Sequence, residues 1–324
     1  MHARTIASIG GLTIAAAVLV MAPLRGQTWS APKTPWGDPD LQGVFTTDDE
    51  LGVPFERSEQ FANRELVTDQ EFTDRAAQAT RQDALDAEEF VAPRAGGRGG
   101  DGTGPPAHWL ERGKPSRRTS IVIDPPDGRI PFVSDEARKR SALAVNARTS
   151  GQRPFDGPQA LDLYDRCITR GLPHVIFPTI YNNTSQIVQG PGLVAIRYEM
   201  INDARVIPLD GRPQLSSAIR QYFGDSRGRW DGDTLVVEVT NFPTNVINYR
   251  GAGGSLHLTE RFRRVDATTV RYEVTVSDPA TFARPWTAAL ILKASSQPDV
   301  FEYACHEGNY AMRNILSAAR ASER

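Results

Sequence analysis

The chain has 324 residues, of which 40% are hydrophobic and 23% charged, and its formal net charge is −2. That is an ordinary globular composition. The near-neutral charge gives no electrostatic case for nucleic acid or an anionic membrane surface as a partner.

The first 26 residues have the layout of a cleavable secretory signal peptide. Arg4 supplies the positive start, residues 6–22 carry no charge, and residues 23–27 break the pattern. The uncharged run is about 17 residues, short of the ~20 that cross a bilayer. Cleavage would leave a periplasmic or secreted protein without a membrane span; an uncleaved N-terminal anchor is the alternative.

Residues 32–40 hold three prolines and cannot be helical. Residues 41–46 can form a short first strand. Thr68 and Glu71 form a capping box that opens a polar surface helix running to about residue 89. Residues 94–106, rich in Gly and Arg, read as a loop. Residues 119–124 predict a strand, and Ser134 caps a second helix to about residue 144.

From residue 186 the texture changes to successive strands, expected at 186–189, 193–201, 205–209, 234–242, 256–265, 269–277, 285–293 and 300–306. Short turn signals such as Asp231-Gly232 join them. Eight such strands predict a mainly β fold, an antiparallel meander closing into a lipocalin-like barrel with a few peripheral helices. A final helix, 310–321, places Met312, Ile315, Leu316 and Ala319 on one side, which would dock on the barrel. The expected organisation is a signal peptide (1–26), an N-terminal extended region (27–180) and a barrel domain (181–324).

Gly43-Val-Phe45 resembles the Gly-x-Trp near the start of lipocalins, with Phe in place of Trp. The runs Asp124-Pro-Pro-Asp-Gly-Arg-Ile-Pro131, Ile207-Pro-Leu-Asp-Gly-Arg-Pro213, Gly224-Asp-Ser-Arg-Gly-Arg-Trp230 and Tyr303-Ala-Cys-His-Glu-Gly-Asn-Tyr310 resemble a set of uncharacterised exported bacterial proteins. The resemblance covers most of the mature chain and brings no catalytic residue with it.

The two cysteines, Cys167 and Cys305, are expected to pair in an oxidising compartment. Two buried thiols or one reactive thiol are the alternatives. Neither lies in a CxxC, so nothing points to zinc or redox chemistry.

Residues two apart on a strand share a face. That alternation puts Glu260 with Leu256, Leu258 and Phe262, and Glu307 with Phe301, Tyr303 and Cys305. Two carboxylates would then point into the barrel. A buried, unpaired carboxyl acquires the raised pKa of a general acid or base. Glu260 and Glu307 are the catalytic candidates on this reading, with His306 and His257 beside them. The bland reading pairs each carboxylate with an arginine such as Arg166, Arg197, Arg205, Arg227 or Arg229.

Asp225, Arg227 and Arg229 form a candidate rim loop for an anionic group; the bland and favoured reading is a turn before the Asp231-Gly232 hairpin. Tyr198, Tyr272, Trp286 and Tyr303 are expected to line a pocket or pack a core, and Asn182 to sit at the barrel mouth. His257-x-x-Glu260 on a strand faces opposite ways, so no metal is assigned, and no organic cofactor is implied. The expected function is an exported barrel binding a small, partly apolar molecule in its interior, in its stronger form a cofactor-independent isomerase, lyase or hydrolase. A non-catalytic envelope carrier or structural protein is the alternative.

Overall fold

The computed structural model describes residues 29–87, 110, 112–146, 155–246 and 248–323. The expected signal peptide and the Gly/Arg-rich loop lie outside the described residues.

Alternating apolar residues fold into ten strands of one antiparallel sheet. They are β1 (Gly43–Thr46), β2 (Val122–Asp124), β3 (Thr184–Gly190), β4 (Leu193–Tyr198), β5 (Ala204–Pro208), β6 (Asp225–Asp231), β7 (Thr234–Thr240), β8 (His257–Asp266), β9 (Thr269–Ser277) and β10 (Trp286–Ala294). The spatial order is β5-β4-β3-β1-β10-β9-β8-β7-β6, with β2 added on β10. Two strands, β1 and β2, come from the N-terminal half of the chain. β1 is placed between β3 and β10 by pairs such as Val44 with Gln186 and Phe45 with Ala294.

The two ends of the sheet, β5 and β6, meet through side chains. A Cβ at Gly228 on β6 would lie 2.5 Å from Leu209 and 2.8 Å from Ile207. Only glycine lets the edges approach this closely. The result is the expected antiparallel, nearly closed, lipocalin-like barrel.

Two expected elements need correction. The run 224–230, read as a rim loop, is strand β6, hydrogen-bonded to β7 along its length. Its Asp, Ser, Arg and Gly residues have poor strand preference, and the neighbouring strand overrides it. Conversely, residues 300–306 are not a strand; the Cys167–Cys305 disulfide and the Tyr164–Tyr303 contact tie this stretch to the 164–167 segment instead.

The interior is filled. Phe45, Tyr198, Phe262, Tyr272 and Trp286 are among the largest fully buried side chains, packed with Ile187, Leu235, Val237 and Leu258. Each such side chain stabilises by roughly 1.5–3 kcal/mol on burial. The ligand pocket expected inside the barrel meets a core that these large side chains occupy.

Three helices sit outside the sheet: α1 (Asp69–Asp86), α2 (Asp135–Asn146) and α3 (Tyr310–Ser322). The Thr68–Glu71 capping box is present in both directions. α3 was expected on the barrel. No residue of α3 is buried, and its outward anchors go to the 155–165 segment: Arg320 donates to the Phe155 and Asp156 carbonyls and Asn309 to the Asp165 carbonyl. The Cys167–Cys305 disulfide ties the same segment to the stretch before α3, with Cα atoms 5.7 Å apart.

Candidate ligand-binding site

Strand β8 alternates as its sequence demands, so Leu258, Glu260 and Phe262 are fully buried and His257, Thr259 and Arg261 face outward. Glu260 does not look into a cavity. Arg205 of β5 reaches across the interior and grips it with both terminal nitrogens, Nη1 to Oε2 at 2.6 Å and Nη2 to Oε1 at 2.9 Å. The Tyr272 hydroxyl adds a third bond to Oε1 at 2.9 Å. Although burial opposes its charge, the Glu260 carboxylate holds the Arg205 guanidinium firmly protonated. Burial pushes the Tyr272 and Tyr198 phenols well up. The cluster is a buried ion pair with two neutral phenols; Tyr272 bonds to the pair, while the Tyr198 hydroxyl and Arg205 Nε have no hydrogen-bond partner among the described residues.

The other sequence-derived candidates scatter. His306 and Glu307 are exposed in the turn before α3, and the strand expected to turn Glu307 inward does not form. His257 lies on the barrel exterior, its Nε2 2.8 Å from Glu238. Arg227 is held by Asp225 and by the Pro213 and Ser226 carbonyls, and Arg229 lies 3.9 Å from Glu238. The Asp225 carboxylate also accepts from the Leu215 amide, so it fixes a loop. Asn182 donates to Glu199. Trp286 is buried core. Tyr303 pairs with Tyr164, hydroxyl to hydroxyl at 3.3 Å.

The concave site lies beside the barrel. A cavity of about 760 Å³ separates residues 159–178 from the loop joining β7 to β8, with Phe55 and Arg140 completing its wall. Its floor is aromatic. Phe177 stacks on Tyr249 with centroids 5.9 Å apart, Phe55 meets Phe177 edge-on at 5.2 Å, and Tyr249 continues the stack to buried Trp286 at 6.2 Å. Its walls are cationic: Arg140, Arg166, Arg170 and Arg250 line it, against one carboxylate, Asp162, among the described residues.

Both walls are built stiff. Asp203 accepts from the Thr169 hydroxyl at 2.9 Å and from the Arg170 amide at 3.1 Å, which fixes the 169–170 backbone. Burial raises the Asp203 pKa, partly offset by the Arg170 amide. Cys167 anchors the same segment through the disulfide.

On the other side, Tyr249 and Ala252 close a tight turn, Ala252 amide to Tyr249 carbonyl at 2.9 Å. Arg250 and Gly251 occupy its centre with φ of 48° and 88°. That left-handed geometry suits glycine at position 251 but is strained for arginine. Asp278 holds the following backbone, accepting from the Gly253 amide and the Ser255 hydroxyl, both at 2.8 Å.

Sequence reasoning named Arg166 only as an ion-pair partner and passed over Phe55, Arg140, Arg170, Phe177, Tyr249 and Arg250. One signal was available: residues 245–250 place two Asn, a Tyr and an Arg in the connection between two long strands. Among the described residues no group of three His, Cys, Asp or Glu converges as a metal site.

No family model and no curated protein matches the chain. One solved structure that aligns with it is a secretary abundant heat soluble (SAHS) protein from Ramazzottius varieornatus, at 14% identity and a TM-score of 0.24, covering 41% of this chain and 87% of that one.

Proposed function

We propose that this is a small-molecule-binding barrel protein whose ligand sits beside the barrel, between residues 159–178 and the Tyr249–Ala252 turn. The observation that carries the reading is the cavity: its volume lies in the range of ligand pockets, and it combines an aromatic floor with a few polar walls. Among the described residues, large side chains such as Tyr198, Phe262, Tyr272 and Trp286 occupy the barrel interior.

Binding is favoured over acid–base turnover for a specific reason. Glu260 is occupied by Arg205 and Tyr272 and does not line the cavity, so a substrate there cannot reach it. We read the protein as a binder or carrier. The Cys167–Cys305 bridge, together with the signal-like first 26 residues, supports work outside the cytoplasm, where such bridges persist.

The neutral dye N-phenyl-1-naphthylamine, which brightens in apolar sites, tests the cavity. Ala160 lines it, and Ala160→Trp fills it. Wild-type protein is expected to bind one dye per chain, and Ala160→Trp to lose that signal. The control Val206→Ser, on the exposed outer face of β5, should bind as wild type. Undiminished dye binding by Ala160→Trp sinks the reading.

A further inference from the structure

Among the described residues, four arginines line the cavity against one carboxylate, Asp162. Arg166 donates through Nε to the Asp162 carbonyl at 3.4 Å, and Arg250 through Nε to the Tyr249 hydroxyl at 3.3 Å. Among the described residues, neither arginine, nor Arg140, has a carboxylate within ion-pair distance, and the terminal nitrogens of Arg166 and Arg250 make no hydrogen bond. Both residues are partly buried. Partly buried guanidinium groups that face a cavity without a counter-charge favour an anionic partner there.

Arg250 adds a second, independent sign. It sits at a position of the Tyr249–Ala252 turn where φ is 48°, a conformation glycine adopts at lower cost. Its guanidinium lies over the Phe55 ring at 3.8 Å. The stack orients the fork while leaving both Nη groups open. Strain retained at a residue aimed into a cavity is a mark of function.

We infer that the ligand is a flat aromatic carboxylate, its ring on the Phe177–Tyr249 floor and its carboxylate held by Arg250 and Arg166. Arginine forks match carboxylate geometry and give charge-assisted hydrogen bonds about twice as strong as neutral ones. The aromatic floor supplies the apolar contact area. Arg140, exposed at the rim, adds to the field that attracts the anion. This inference rests on the binding reading above and specifies its ligand.

The test uses two probes of the same shape and different charge, naphthalene-2-carboxylate and naphthalene-2-carboxamide, titrated calorimetrically into the disulfide-bonded protein. The carboxylate is expected to bind at least about tenfold tighter than the amide. Arg166→Gln should remove most of that preference while leaving amide affinity within about threefold.

Arg250→Gly separates anchoring from folding. Relief of the left-handed strain should hold or raise its thermal midpoint, while carboxylate affinity falls about tenfold. Equal binding of the two probes, with both lost in Ala160→Trp, would overturn the carboxylate inference and keep the cavity. No heat from either probe at millimolar concentration, from protein shown to be folded and bridged, would overturn the cavity reading and this inference with it.

Discussion

At the scale of single residues, Glu260 decides how the barrel core is understood. Its carboxylate and the Arg205 guanidinium are both taken out of water and satisfy each other twice over. Removing one partner strands a buried charge, which costs about 3–5 kcal/mol; replacing both by apolar residues of similar volume is often neutral or stabilising. Glu260→Gln should therefore lower unfolding free energy by several kcal/mol in a denaturant titration, and Arg205→Met with Glu260→Leu should recover most of it. A Glu260→Gln protein as stable as wild type would show that the pair does not hold the core. The inward direction of Glu260 was legible from β8 alone, because strand alternation is a local property of residues two apart. Its partner was not legible beyond a set of candidate arginines, since Arg205 lies on β5 and meets β8 only across the closed barrel. Arg250 was invisible for the converse reason: nothing periodic marks a loop residue, and its left-handed backbone shows only in three dimensions.

At the scale of elements, local signals performed well where the chain decides its own structure. The α1 capping box is one: Glu71 accepts from the Thr68 amide at 2.7 Å and is forked by Arg64 at 2.5 and 2.8 Å. The Arg64 hydrogen bond is the largest cause that lowers the Glu71 pKa from 4.5 to about 2, followed by the Thr68 amide. A carboxyl whose folded pKa is depressed favours folding fully above its ordinary value and loses that contribution as pH falls through its folded one. Helix α1 should therefore keep its first turn down to about pH 3 and fray as pH approaches 2. Carboxyl chemical shifts of Glu71 followed by NMR give the titration directly, and a midpoint near 4.5 would show that the box is not formed in solution. Local signals failed where pairing is tertiary. β6 has the composition of a turn, yet β7 captures it along seven residues. Residues 300–306 have the aromatic content of a strand, yet they are held by a disulfide and by contacts to the 164–167 region instead of a sheet edge.

At the scale of the whole molecule, the Cys167–Cys305 bridge joins two segments 138 residues apart, the first of which, 159–178, forms one wall of the cavity. Its effect has two parts that can be separated. Closing a loop of that length removes unfolded-chain entropy worth about 5 kcal/mol. The barrel's own hydrogen-bonded strands do not include either cysteine, so the sheet can form without the bridge. The cavity wall depends on it more directly, because residues 159–178 make no strand pairing and are held in part by the bridge, by Asp203 and by the α3 anchors. The double variant Cys167→Ser, Cys305→Ser should thus keep the far-ultraviolet circular dichroism of the barrel while its unfolding free energy drops by a few kcal/mol. Binding of naphthalene-2-carboxylate should weaken further than stability alone requires at a temperature where the variant is still fully folded, because ordering the free wall then falls on the ligand. Equal affinity in the bridged and unbridged proteins would show that Asp203 and α3 suffice to hold the wall. An affinity lost together with the barrel's circular dichroism would instead make the bridge a requirement of the fold.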